Sequence, residues 1–166
     1  MRAKYPEPDA AAAFAVDRVN DVIGGVTGIK IAVHLCRRAG GRARGEACHC
    51  GGYGPIIKHL NRLQAHHLTM EFTAPQAGDM DVFRELREDF EIGLGCVDVT
   101  PGVIDSTETI AGRVRKAIEF LAKERITLNP DCGFAPGSGA VVSIDEAYRR
   151  LCNEAEAAQI LRAEFG

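Results

Sequence analysis

Three short apolar runs in this chain each carry residues that ligate soft or borderline metals. Ile29-Lys-Ile-Ala-Val-His-Leu-Cys36 ends on His-x-Cys, Leu68-Thr-Met-Glu-Phe72 encloses a carboxylate, and Ile126-Thr-Leu-Asn-Pro-Asp-Cys-Gly133 stops on a cysteine. Residues two apart on a strand point to the same face, so His34 and Cys36 can reach one ion together. Thiolate, imidazole and carboxylate suit a tetrahedral zinc, and sulfur selects zinc over magnesium or calcium. Glu71 inside an apolar run needs a partner, because an unpaired buried charge is costly, and a metal is one such partner. These residues point to a zinc site of His34, Cys36, Glu71 and Cys132 that does chemistry at strand ends.

The elements that must position this set alternate between helix and strand. Pro6 and Pro8 precede Asp9, a candidate N-cap. Phe14, Val19, Val22, Ile23 and Val26 then trace a helical stripe ending near Gly24-Gly25. A strand at Ile29–Leu35 leads into a glycine- and arginine-rich loop, 37–54. Ile56, Ile57, Leu60 and Leu63 mark the next helix. Strand Leu68–Phe72 precedes a short helix near Asp79–Glu88, and strand Glu91–Val99 follows. Asp105 to Glu108 has capping-box spacing before a helix carrying Ile110, Val114, Ala117, Ile118 and Leu121. Strand Ile126–Asn129 comes next. Ser143-x-x-Glu146 is a capping box before a long helix whose stripe is Ala147, Leu151, Ala155, Ala158 and Leu161.

Strands separated by helices run parallel through right-handed crossovers. No Gly-x-Gly-x-x-Gly follows a strand, which removes the main support for a dinucleotide fold. A barrel of βα units places its chemistry at the C-terminal strand ends, where His34, Cys36 and Cys132 fall. Four strands cannot close an eight-stranded barrel, which typically needs about 250 residues. The expectation is one α/β domain over residues 1–166, about four βα units forming half of a barrel, with the upstream half absent.

Composition narrows the function classes. The chain has 166 residues, 46% hydrophobic and 26% charged, with a net charge of −3. That balance gives no electrostatic case for nucleic acid. No run of about 18 apolar residues exists to span a membrane, and the first residues lack the apolar core of a signal peptide. Six cysteines without such a signal read as reduced thiols of a cytoplasmic protein rather than a disulfide framework.

His34-Leu-Cys36, Met70-Glu-Phe72, Gly95-Cys-Val-Asp98 and Asn129-Pro-Asp-Cys-Gly133 resemble, in order and spacing, the zinc-site motifs of the cobalamin-independent methionine synthase family. The resemblance runs from about residue 10 to the end, and Asn-Pro-Asp-Cys-Gly is its most specific part. It implies the C-terminal half of a TIM (β/α)8 barrel of the uroporphyrinogen decarboxylase and methionine synthase type. It also implies Zn2+ held by His34, Cys36, Glu71 and Cys132, which activates a substrate thiol, with Asp98 in a supporting role near the site. The reaction implied is methyl transfer from 5-methyltetrahydrofolate to homocysteine.

Synthases of this family often continue His-x-Cys with Arg-Gly-Asn, whereas this chain reads Arg37-Arg38-Ala39-Gly40-Gly41. A second branch of the superfamily, epoxyalkane:coenzyme M transferase, opens an epoxide with coenzyme M. The sulfonate of that thiol favours arginine, and Arg37 and Arg38, with Arg42 and Arg44 behind them, are candidates to bind a thiol's tail. A third reading is a non-catalytic half-barrel that pairs with itself or with a partner chain, since open parallel edges are a liability.

The remaining thiols and imidazoles have plainer readings. Cys96 and Cys152 are expected in the core. Cys48-His49-Cys50 reads as loop, His66-His67 as polarity at a strand start, and Ser138 as part of a turn.

Overall fold

The computed structural model describes residues 7–37, 41, 51–134 and 142–166. Four parallel strands lie side by side in chain order: β1 (Ala32–Leu35), β2 (His67–Glu71), β3 (Glu91–Val97) and β4 (Ile126–Pro130). Their register sets His34 opposite Thr69, Glu71 opposite Gly95, and Gly95 opposite Asn129. Side chains alternate across a strand, so each strand divides its residues between two faces. Leu68, Met70, Ile92 and Leu94 share one face and are fully buried. The other face gathers polar groups and glycines. A Cβ added at Gly93 would meet Asn129, His67 and Thr69 side chains, which locates all four together.

Helices α1 (Pro8–Ile23), α2 (Ile57–Leu60), α3 (Thr107–Ile118) and α4 (Ile144–Phe165) pack around this sheet. Helix α3 is amphipathic and buries Ile110, Ala111, Val114 and Ala117. Each large aliphatic side chain so buried stabilises the fold by roughly 1.5–3 kcal/mol. Helix α4 packs along α3 and is tied to it by Arg115, which bonds Glu164 at 2.8 Å and Glu108 at 2.7 Å. This is the α/β arrangement expected, four parallel strands with helices.

Several local expectations shift. Helix α1 starts at Pro8, whose missing N–H suits the first helical position, rather than being capped by Asp9. Asp9 instead bonds Lys58 and His59, and those bonds hold its carboxyl below the usual range. The expected stripe of α1 is only partly its inner face: Val19 packs against the core beside buried Val16, whereas Phe14 is 63% and Val22 80% exposed. The short helix expected near 79–88 is present as a 3-10 helix, Met80–Glu85, which buries Val82 and Phe83. Ser106, not Asp105, caps α3 by accepting from Thr109 N. Asp105 is drawn away because it pairs with Arg113 at 2.5 Å and accepts from Asp98 N. Ser143 caps α4 as read, accepting from Glu146 N. The stripe of α4 is displaced in part: Leu161 is buried as expected, but its other buried residues are Arg150 and Ala157, and Cys152 is exposed rather than in the core. Cys96 is buried as expected, and burial pushes its thiol up to about 12.

Candidate metal centre

Each donor reaches the site for a local reason. Strand β1 stops at Leu35, so His34 lies inside it and Cys36 just beyond. Glu71 is the last residue of β2, on the same face as Thr69 and His67. Cys132 lies just past β4, which ends at Pro130. The pairing of β3 with β4 shifts register between Gly95 and Val97. Such a bulge bends and twists a strand, and bulges commonly re-aim side chains beside active sites.

One donor atom each from His34, Cys36, Glu71 and Cys132 lies within 4.8 Å of the others. Cys132 Sγ is 3.3 Å from Cys36 Sγ and 3.4 Å from His34 Nε2. The Cys132 thiol also donates to Glu71 Oε1 at 2.6 Å. Zinc–donor bonds of about 2.0–2.3 Å in a tetrahedron place donor atoms roughly 3.3–3.8 Å apart, so two of these three separations already match. Glu71 is fully buried, Cys132 half-buried, and His34 and Cys36 exposed. The site is therefore closed behind Glu71 and open past His34 and Cys36.

The electrostatics ask for a cation. Burial pushes the Cys132 thiol up, and its hydrogen bonds with Glu71 and Cys36 push it further. Two thiols and a carboxylate converge here, and ionising all of them together requires positive charge at their centre. A bound metal supplies that charge and displaces the thiol protons. The donor set of two sulfurs, one imidazole and one carboxylate fits zinc.

Two further side chains border the donors. Tyr53, 1% exposed, accepts from Glu71 N at 3.1 Å, and its hydroxyl lies 3.2 Å from Leu35 O and 3.3 Å from Glu71 O. Asp131, fully buried, accepts from Phe72 N at 3.2 Å, from Thr73 N at 3.4 Å and from the Thr73 hydroxyl. Sequence reading had not singled out either residue. Asp131 carried a weak signal as an acid wedged between proline and a ligand. Tyr53, in a glycine-rich stretch far from every donor, carried none.

The other sequence candidates lie elsewhere. Asp98 Oδ1 accepts from Thr100 N at 2.8 Å, folding the carboxylate onto its own loop, and Asp98 is not among the four converging donors. The Arg37 guanidinium lies over the Tyr53 ring, 5.2 Å from its centre. His66 Nδ1 accepts from Ile31 N at 3.0 Å, so it secures the start of β2 against the approach to β1. Arg38, Arg42, Arg44, Cys48, His49, Cys50 and Ser138 lie outside the described residues. No helix among the described residues is long and apolar enough to cross a membrane.

The model of the cobalamin-independent synthase catalytic domain matches residues 8–159. A methionine synthase of Saccharolobus islandicus is 26% identical over 152 residues, and one of Pyrococcus horikoshii is 27% identical over the same length. These matches take in 92% of this chain but only 40% and 39% of those proteins. Among solved structures, a B12-independent methionine synthase from Shewanella sp. W3-18-1, in complex with selenomethionine, superposes with a TM-score of 0.72 at 21% identity. It covers 94% of this chain and 47% of that one. A putative vitamin-B12-independent methionine synthase from Listeria monocytogenes gives a TM-score of 0.64 at 20% identity, covering 100% of this chain and 44% of that one. The chain thus spans less than half the length of the proteins it matches.

Proposed function

Because the chain belongs to the family of cobalamin-independent synthase catalytic domains, we propose that it serves zinc-dependent methyl transfer from 5-methyltetrahydrofolate to homocysteine. The observation that carries this reading is the convergence of His34, Cys36, Glu71 and Cys132 at the ends of parallel strands. These four residues would hold the metal. Zinc, when bound, keeps a substrate thiol as thiolate at neutral pH, where a free thiol of pKa about 8.5 is mostly protonated.

The chain's own groups divide the remaining work. Fully buried Glu71 closes the inner side of the site and excludes water there. His34 and Cys36 border the open side, so a thiol approaches past them. The Cys132 proton rests against Glu71 Oε1 and must leave when a cation enters. Asp98 supports the site by ordering the loop after β3 through Thr100 N. Arg37 and Arg38 follow Cys36 directly in the sequence and are the candidates to bind an anionic end of the substrate.

Purified protein, reconstituted with zinc, tests this with homocysteine and 5-methyltetrahydrofolate. Cobalt-substituted protein should change its visible spectrum when homocysteine is added, and methionine should accumulate. No spectral response and no methionine would refute the reading. The same assay with coenzyme M and an epoxide separates the competing branch, whose turnover would replace methionine synthesis.

A second observation bears on how the site is completed. Neither β1 nor β4 has a second strand beside it among the described residues. A groove of about 600 Å³ runs between β4, α3 and α4, lined by Val114, Ile118, Leu128, Leu151 and Ala158, with Glu154 among them. We read residues 1–166 as one unit that a second copy or a partner chain completes into a barrel. Sedimentation of the zinc-loaded protein should give at least twice the chain mass, or that mass with its partner. An active monomer would refute this.

A further inference from the structure

The four donors come from three strand ends, and the sheet alone does not fix them relative to one another. β2 and β4 are each paired to β3 and not to each other. No ladder therefore sets the distance from Glu71 to Cys132 directly. Between β1 and β2 the ladder stops at the Leu35–Met70 pair, short of both Cys36 and Glu71.

Two buried side chains make the missing connections. Tyr53 reaches the junction of β1 and β2, where its hydroxyl accepts from Glu71 N at 3.1 Å and lies 3.2 Å from Leu35 O, the carbonyl between His34 and Cys36. One phenolic proton serves either Leu35 O or Glu71 O, and the lone pairs take the Glu71 amide. Asp131 reaches across β3 from the residue before Cys132 to the residues after Glu71, accepting from Phe72 N, Thr73 N and the Thr73 hydroxyl. Its own N–H donates to Val97 O at 3.2 Å, which anchors it to β3. The crossing is open only because position 95 is glycine. A Cβ there would meet Asp131 Oδ1.

We infer that Tyr53 and Asp131 are positioning residues that hold the four donors at metal-binding separation: Tyr53 joins the His34–Cys36 end to Glu71, and Asp131 joins Glu71 to Cys132. Both act through backbone groups next to the donors, and neither is a ligand. The frame rests on the metal reading for its purpose but not for its geometry.

The test uses the full chain with Tyr53→Phe, Asp131→Asn and Thr73→Val, the last a milder cut at the same connection. Zinc affinity by chelator competition should fall about 10- to 100-fold in Tyr53→Phe and Asp131→Asn, the range for groups that orient ligands. The rise in Tm on adding zinc should shrink accordingly, because affinity sets that stabilisation. A residue that is merely structural would lower Tm equally with and without zinc and leave affinity unchanged, and that result overturns the proposal.

A second measurement works without metal. The Cys36 and Cys132 thiols reduce one oxidised glutathione to two reduced molecules and form one disulfide, and the equilibrium constant reports how often they meet. It should fall about tenfold in the variants. If wild-type protein binds no zinc while this constant still falls, the metal reading fails and the frame stands. A constant unchanged in all three variants removes the frame.

Discussion

Replacing Gly95 by alanine tests how tightly the site is built. Gly95 lies in β3, between the strands that carry Glu71 and Cys132. An added Cβ would sit 2.6 Å from Met70 O and 2.9 Å from Glu71 Cα, and closer still to Asp131 Oδ1. Two of these three neighbours are backbone atoms held by strand pairing, so they cannot swing aside as a flexible side-chain tip can. Overpacking of this kind costs about 1–3 kcal/mol. Displacing the Asp131 carboxylate forfeits hydrogen bonds to a charged group, worth about 1.5–3 kcal/mol each. Losing one such bond brings the total to roughly 3–5 kcal/mol, a large part of an ordinary stability of about 5–15 kcal/mol. For a chain of this size that lowers Tm by about 6–20 °C.

Thermal unfolding followed by circular dichroism, with chelator present, reads the loss. Zinc competition then reads the disturbance of the donors. Gly112 is the control: it sits in α3 with nothing within 4 Å of its would-be Cβ. Gly112→Ala should raise stability by about 0.5–1 kcal/mol, since alanine is the better helix former. Gly95→Ala protein with unchanged Tm and undiminished zinc affinity would refute the crowding argument.

Burial raises the Glu154 carboxyl above its usual value of 4.5. The folded state then holds a proton that the unfolded state has lost, so stability falls as pH rises from 4.5 through the raised folded value. Glu154→Gln should flatten that stretch of a Tm-against-pH curve and raise Tm at neutral pH. Identical curves would show that burial does not govern this carboxyl. Ser106→Ala removes the cap that accepts from Thr109 N and should cost about 1 kcal/mol by urea unfolding, whereas Asp105→Ala should act through Arg113 and the Asp98 loop instead.

The strands and their parallel order were legible because each apolar run is short and bounded, and helices separate most of them. The donors were legible because each is an outlier in its run: a histidine and a cysteine ending one, an acid inside another, a cysteine closing a third. Local choices between neighbouring polar residues were not. Asp105 and Ser106 are both good caps, and only the distant Arg113 decides which one serves. The face of α4 was misread in part for a related reason, although Leu161 is buried as read. Leu151, Ala155 and Ala158 form an apolar stripe, but they line the groove beside β4. The core position goes to Arg150, fully buried, which donates to Thr100 O, Val103 O and Glu146. No apolar period reveals a buried arginine. The roles of Tyr53 and Asp131 were not legible for the same reason, since their partners are distant in sequence and mostly backbone groups.

The proposed chemistry requires that four side chains hold one metal. Dialysed protein, purified without added chelator, should carry about one zinc per chain by elemental analysis. Cys132→Ala loses the sulfur nearest the other three donors and should lose most of that metal, while Cys152→Ala, on the exposed face of α4, should keep it all. Full zinc retention in Cys132→Ala, or equal loss in both variants, would contradict the account.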